Sequence, residues 1–182
     1  MRRVLAIGAL VALAGCGTPE GSIPTCPPDA TDALVLVAQS VPSATQIPCV
    51  TELPVGWSYG GQVIERGRTE LWLYSDRAGE QAVTVTLTPR CAFSDAVEVP
   101  SDESALTRYE EPISLTPVLS VNRYYVFEGG CVTYRFRFQE GGSYTEVLQA
   151  TEALSFVSRA EGAEALREAG LILCGAGVDC PG

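Results

Sequence analysis

Cys131-Val132-Thr133-Tyr134-Arg135-Phe136-Arg137-Phe138-Gln139 alternates without a break along its whole length. Val132, Tyr134, Phe136 and Phe138 fall on one side of an extended chain; Thr133, Arg135, Arg137 and Gln139 fall on the other. A side-chain period of two with one apolar and one polar face is the pattern of an antiparallel strand covering a core. Arg123 to Phe127, joined through Glu128-Gly129-Gly130, reads as the other arm of a hairpin.

The same period extends upstream. Trp57 to Glu65 reads as a strand, and Arg66-Gly67 as a turn. Thr69 to Ser75 sets Leu71 and Leu73 against Glu70, Trp72 and Tyr74. After the loop Asp76–Glu80, Ala82 to Thr88 sets Val83, Val85 and Leu87 inward and Thr84, Thr86 and Thr88 outward. Between the two strand groups, residues 92–121 hold Pro100, Pro112 and Pro117 with the acidic pairs Asp102-Glu103 and Glu110-Glu111. This segment reads as a long surface excursion with one short strand near Thr107 to Glu111. Long excursions of this kind often carry function.

Helix signals flank the sheet. A short helix is expected from Asp29, capped by Thr31 or Asp32, with Ala33 to Ala38 apolar on nearly all sides and therefore buried. Pro42 and Pro48 predict an irregular link after it. Ser143-x-x-Glu146 and Ser158-x-x-Glu161 are capping-box patterns that open two C-terminal helices. Val147, Leu148, Thr151 and Leu154 recur at helical spacing, and Gly170 is placed to end the second helix. Leu171 to Leu173 is expected as a short edge strand. The expected fold is therefore α+β: an antiparallel sheet of five or six strands packed by an N-terminal helix and two C-terminal helices.

The other end of the chain sets the compartment. Met1-Arg2-Arg3 is a basic start, and Val4 to Ala14 is an apolar run about half the ~20 residues needed to cross a bilayer. Leu13-Ala14-Gly15-Cys16 resembles the lipobox of bacterial lipoproteins, at which a signal peptidase cuts before a diacylglycerol-modified cysteine. The resemblance implies a signal peptide over 1–15, lipidation of Cys16, and a protein held on the extracytoplasmic side of the cell membrane. Residues 16–28 then read as the lipidated cysteine and a tether, and 29–182 as one α+β domain. The nine residues Gly17 to Thr25 reach at most about 30 Å. The Arg-only, GC-rich style is similar to that of actinobacterial surface lipoproteins.

Seven cysteines divide as one plus six. With Cys16 assigned to lipid, Cys26, Cys49, Cys91, Cys131, Cys174 and Cys180 remain, an even number in an exported chain. Six cysteines allow fifteen connectivities. Pairing of neighbours in order is the expectation, and it makes the domain disulfide-braced. Without His or a Cys-x2-Cys spacing, no metal site is expected.

Composition excludes more than it assigns. Residues 1–15 hold two Arg and no acid, so the remainder carries 10 Arg against 22 acidic residues. That surface argues against nucleic acid, and an acyl anchor rather than charge must hold the protein on its membrane. The chain has no Lys and no His, which removes Lys Schiff bases, Ser-His-Asp and Cys-His arrangements. Carboxylate pairs are plentiful and unplaced, so no catalytic residue and no cofactor is assigned. Asp102-Glu103 and Glu110-Glu111 could hold Ca²⁺ loosely.

Two constellations stand out. Arg135 and Arg137 share a strand face, and Arg123 can join them from the neighbouring strand. Such a row could clamp an anion, or pair with Glu65, Glu70 or Glu128 on a solvated face. Among Trp57, Tyr59, Trp72, Tyr74, Tyr124 and Tyr125, the pair Trp72 and Tyr74 lies opposite the Leu71/Leu73 face. The expected function is a non-enzymatic, membrane-anchored domain that binds a partner protein or envelope component. A lipid or apolar-ligand carrier and a carboxylate-dependent hydrolase are the alternatives.

Overall fold

The computed structural model describes residues 22–93, 95–140 and 142–180. The lipobox, Cys16 and the first part of the expected tether lie outside the described residues. In chain order the elements are α1 (Asp32–Ser40), β1 (Gln46–Val50), β2 (Trp57–Glu65), β3 (Arg68–Ser75), β4 (Gly79–Thr88), β5 (Val97–Val99), β6 (Thr107–Ser114), β7 (Ser120–Phe127), β8 (Gly130–Arg137), α2 (Tyr144–Glu152), β9 (Leu154–Ser158) and α3 (Arg159–Glu168). The architecture is α+β. A seven-stranded antiparallel sheet runs β2-β3-β4-β8-β7-β6-β5, beside a two-stranded sheet of β1 and β9.

The large sheet is two meanders joined at its centre, where β4 pairs with β8 over Val83↔Phe136 to Thr88↔Cys131. Registers carry the alternation straight across it. One inner row runs Leu71, Val85, Tyr134, Arg123, Glu110, and another runs Thr69, Leu87, Val132, Tyr125, Arg108. The apolar members of these rows join one core with Leu34 and Val37 of α1, Val147 of α2 and Leu166 of α3. Tyr125, Tyr134 and Phe156 meet ring to ring at 5.0–6.1 Å within it.

Both capping boxes form as expected. Ser143 and Glu146 open α2, and Ser158 and Glu161 open α3, each through reciprocal bonds between side chain and backbone. Hydrogen bonding to the Ser143 hydroxyl holds the Glu146 carboxyl below its usual range, and the Ser158 hydroxyl does the same for Glu161. Gly170, at φ +77°, closes α3 in a Schellman arrangement: its N–H bonds Arg167 O, and Leu171 N–H bonds Leu166 O.

Several expectations are corrected. The sheet has seven strands rather than five or six: residues 92–121 add β5, and the strand expected near Thr107 runs on to Ser114 as β6. Tyr109, Glu110 and Glu111 pair with β7 despite Pro112 near the strand end. Pro48 does not break the chain: it sits in β1 opposite Phe156. A two-stranded sheet is all edge, where a missing N–H is tolerated. Leu154 belongs to β9 rather than α2, and Leu171 to Leu173 form no strand. Thr31, the N-cap residue, closes no side-chain cap on α1, because its hydroxyl donates to Ile23 O; Asp32 Oδ1 accepts from Ala33 N–H at 3.0 Å in the first turn. Helix α1 is not buried all round, since Leu36 is half exposed. Thr84 and Thr86 are buried although they lie on the outer face.

The first described residues belong to the domain rather than to a tether. Cys26 N–H donates to Val50 O, Val50 N–H donates to Pro24 O, and Cys26 is bonded to Cys49. The other disulfides are Cys91–Cys131 and Cys174–Cys180. Three structural disulfides mark an oxidising, extracytoplasmic environment. Among the described residues no helix is long and apolar enough to cross a membrane.

Candidate functional site

The outer face of the sheet carries the residues that stand out in the sequence. A single transverse row runs Gly61, Trp72, Thr84, Arg135, Asn122, Glu111 through consecutive cross-strand pairs. Tyr74 and Arg137 each lie two residues further along β3 and β8, toward the same end of the sheet. Only β4 separates the two strands, so the aromatic and arginine pairs sit about 10 Å apart.

The local geometry explains the half-burial of the aromatics. A Cβ on Gly60 would lie 2.4 Å from Trp72 Cδ1 and 2.8 Å from Tyr74 Cζ. Both rings therefore rest on the β2 backbone, where Gly60-Gly61 forms a glycine bed within the strand. The register slips at this point, between Tyr59 and Gly61. Trp72 Nε1–H donates to the Tyr74 hydroxyl at 3.3 Å. Trp72, Tyr74 and Arg135 are partly exposed and Arg137 is exposed.

The cross-strand ion pairs expected for these arginines do not form among the described residues. Glu70 is taken by Arg68. Glu111 accepts from the Tyr124 hydroxyl at 2.6 Å and from Asn122 Nδ2 at 3.1 Å. Arg135 and Arg137 make no ion pair or side-chain hydrogen bond to another described residue. In a chain of 22 acidic residues, two neighbouring guanidinium groups are left facing solvent.

Arg123 does not join them. It pairs across with Tyr134 and Glu110, on the inner face, and only 3% of its side chain is exposed. Its Nε donates to Glu110 Oε1 at 2.8 Å, its Nη1 donates to Thr151 Oγ1 at 3.0 Å, and its guanidinium lies 5.7 Å from the Phe136 ring centre. Asp102 reaches the same cluster from the loop before β6, 3.0 Å from Arg108 Nη1 and accepting from the Tyr125 hydroxyl at 3.0 Å. Burial alone would raise the Asp102 carboxyl; Arg108, the local backbone and Tyr125 together hold it below its usual value. These acids and arginines pair with one another, with Arg108 Nε left buried and without a partner, so the cluster clamps the 100–106 loop onto the sheet.

The aromatic set divides accordingly. Trp57, Tyr124 and Tyr125 are buried, and Tyr59 packs partly against the core. Phe93 stacks on Tyr109 at 5.0 Å and meets Tyr124 at 5.1 Å, where the chain crosses from β4 to the far edge of the sheet. Cys91–Cys131 staples that crossing to β8. No group of three metal-ligating side chains occurs among the described residues.

One contact gave no signal in the sequence. Arg159 is 1% exposed, and its guanidinium donates to four carbonyls: Ala44 at 2.7 Å, Cys174 at 2.9 Å, and Ala38 and Val41 at 2.8 and 2.9 Å. It closes the C-terminal end of α1 with a cation, favourable against the helix dipole. It also holds the Cys174–Cys180 loop against the domain.

Beside the start of β2 a cleft of about 450 Å³ is walled by Ser22, Ile23, Leu53, Trp57 and the Ser58–Gly61 stretch. The Tyr59 hydroxyl is buried without a partner, and burial pushes its pKa well up.

Compared with protein-family models, with curated proteins and with solved structures, the chain matches none.

Proposed function

We propose that the protein is a lipid-anchored, non-enzymatic binding domain of the cell envelope whose outer sheet face recognises an anionic, sugar-containing envelope polymer. The observation that carries this reading is the pair Arg135 and Arg137, without an ion pair among the described residues of an acidic chain and flanking the aromatic bed of Trp72 and Tyr74. Guanidinium groups bind carboxylate or phosphate bidentately, and a flat indole stacks on sugar rings. Between sheet and helices the space is filled by the Tyr125, Tyr134 and Phe156 rings, which favours a surface site over an interior one. The apolar carrier finds its support in the cleft beside Leu53 and Trp57.

Affinity electrophoresis of the C16S chain separates these readings. Gels containing polygalacturonate or poly(glycerol phosphate) should retard it, and gels containing uncharged dextran should not. The R135Q/R137Q variant should lose the retardation, and W72A should weaken it. Equal mobility of wild type and R135Q/R137Q in both anionic gels overturns the proposal. Copurification of a lipid released by organic extraction would favour the carrier.

A further inference from the structure

The two ends of the large sheet differ in chemistry. One end carries the turns Glu65-Arg66-Gly67-Arg68 and Phe127-Glu128-Gly129-Gly130, both charged. The other gathers the start of β2 at Trp57, the β3–β4 turn at Ser75 and Gly79, the end of β8 at Arg137, and the β6–β7 turn at Ser114 and Ser120, all linked by register. The β6–β7 turn reads Ile113-Ser-Leu-Thr-Pro-Val-Leu119, and no charged residue occurs from 113 to 122. Leu115 is 68% exposed, Ile113 56% and Val118 38%. Val55 stands fully exposed at the same end, beside Gly56, whose carbonyl accepts from Asp76 N–H in the β3–β4 turn. Helix α2 reaches this end too, where Trp57 Nε1–H meets Gln149, and it exposes Tyr144 and Leu148.

We infer that this end is a membrane-contacting surface, with the Ile113–Leu119 turn seated in the interfacial layer of the bilayer. The inference rests on the lipid-anchor reading of Cys16. The described chain begins at this same end, since Ser22 and Ile23 wall the cleft against Trp57 and Ser58. Cys16 stands six residues before Ser22, a separation that spans at most about 20 Å. An acyl anchor there holds the end with the uncharged Ile113–Leu119 turn, not the opposite one, against lipid. The turn lies five strands across the sheet from β2, about 24 Å away, so anchor and turn give two supports for one face. The two acyl chains of a diacylglyceryl cysteine supply retention, so the second contact fixes the orientation of this face. The exposed Asp76, Arg77, Glu80, Arg137 and Glu140 at this end limit the depth to the headgroup and upper acyl layer, where Tyr144 is also at home.

The test uses the full lipidated chain, purified from membranes and reconstituted in phosphatidylcholine vesicles. Tryptophan is introduced by L115W or V118W at the turn, and by R66W at the opposite end. Emission is measured against the parent chain with lipids brominated at shallow acyl positions. L115W and V118W should be blue-shifted and quenched at least twofold more than R66W. Equal quenching of L115W, V118W and R66W in a chain that floats with the vesicles overturns the seated turn alone. A wild-type chain that neither floats nor carries the diacylglyceryl mass overturns the anchor, and the seated turn with it.

Discussion

Replacing Arg159 by Met removes the cation from four carbonyls while keeping most of the volume. Hydrogen bonds to a charged group are worth about 1.5–3 kcal/mol each, and an orphaned buried carbonyl costs about 1–3 kcal/mol. Four such bonds do not add, because they share one guanidinium and because its desolvation cost is recovered on removal. Burial lowers the Arg159 pKa, which reports that recovered cost. The net loss for R159M should resemble the removal of one partner from a buried ion pair, about 3–5 kcal/mol. With a urea slope of about 2 kcal/mol per molar, the midpoint falls by about 1.5–2.5 M at unchanged slope. Urea unfolding of the oxidised protein, followed by the fluorescence of buried Trp57, measures it. R159K keeps the charge but concentrates its donors at one nitrogen, and should fall between R159M and wild type. The exposed R90Q should stay within about 0.5 kcal/mol. An R159M midpoint within experimental error of R90Q refutes the bridging role.

Three further outcomes follow from the same contacts. G129A should destabilise by more than about 2 kcal/mol, because φ is +71° and a Cβ would lie 1.8 Å from the Ser43 carbonyl oxygen; a thermal melt unchanged from wild type contradicts this. C91S/C131S opens a loop of sequence separation 40, which on loop-closure entropy loses about 4 kcal/mol, and should free the Phe93 crossing to proteolysis; resistance equal to wild type counts against the staple. Acid should destabilise the fold with a defined sign. Asp102, Glu146 and Glu161 are all held below their usual values, so the stability they contribute is complete above the normal carboxylate range and is lost as pH falls through their depressed values. Glu103, pushed up by burial and then by Asp102, acts in the opposite direction and earlier. D102N should flatten the acid limb of urea midpoint against pH; an unchanged limb shows that the loop clamp contributes nothing there.

How far the site could be read from the chain depends on which residues are considered. Trp72, Tyr74, Arg135 and Arg137 sit on strands whose alternation is unambiguous, so their shared outer face followed from parity once β3, β4 and β8 were neighbours. Arg123 was open to either face, because Val121-Asn-Arg-Tyr-Tyr-Val126 places an apolar or aromatic residue on both sides. Only its register against Tyr134 puts it inside. The same ambiguity left the faces of β6 open, since Glu110 and Glu111 look solvated until Arg123 and Tyr124 claim them.

Local chemistry determined what the chain could state alone: strand alternation over 57–88 and 123–139, two capping boxes, the glycine that ends α3, and short cysteine loops. Each of these signals is complete within a few residues of itself. Tertiary structure decided the rest. Gln46 pairs with Ser158 across 112 positions, Pro48 becomes a strand residue because Phe156 lies opposite, and Arg159 finds four carbonyls from two distant segments, 38–44 and Cys174. A backbone carbonyl has no sequence signature, so a cation that binds only carbonyls leaves none either. The uncharged β6–β7 turn was visible as composition. That it shares an end of the sheet with the entry of the chain is a property of the fold.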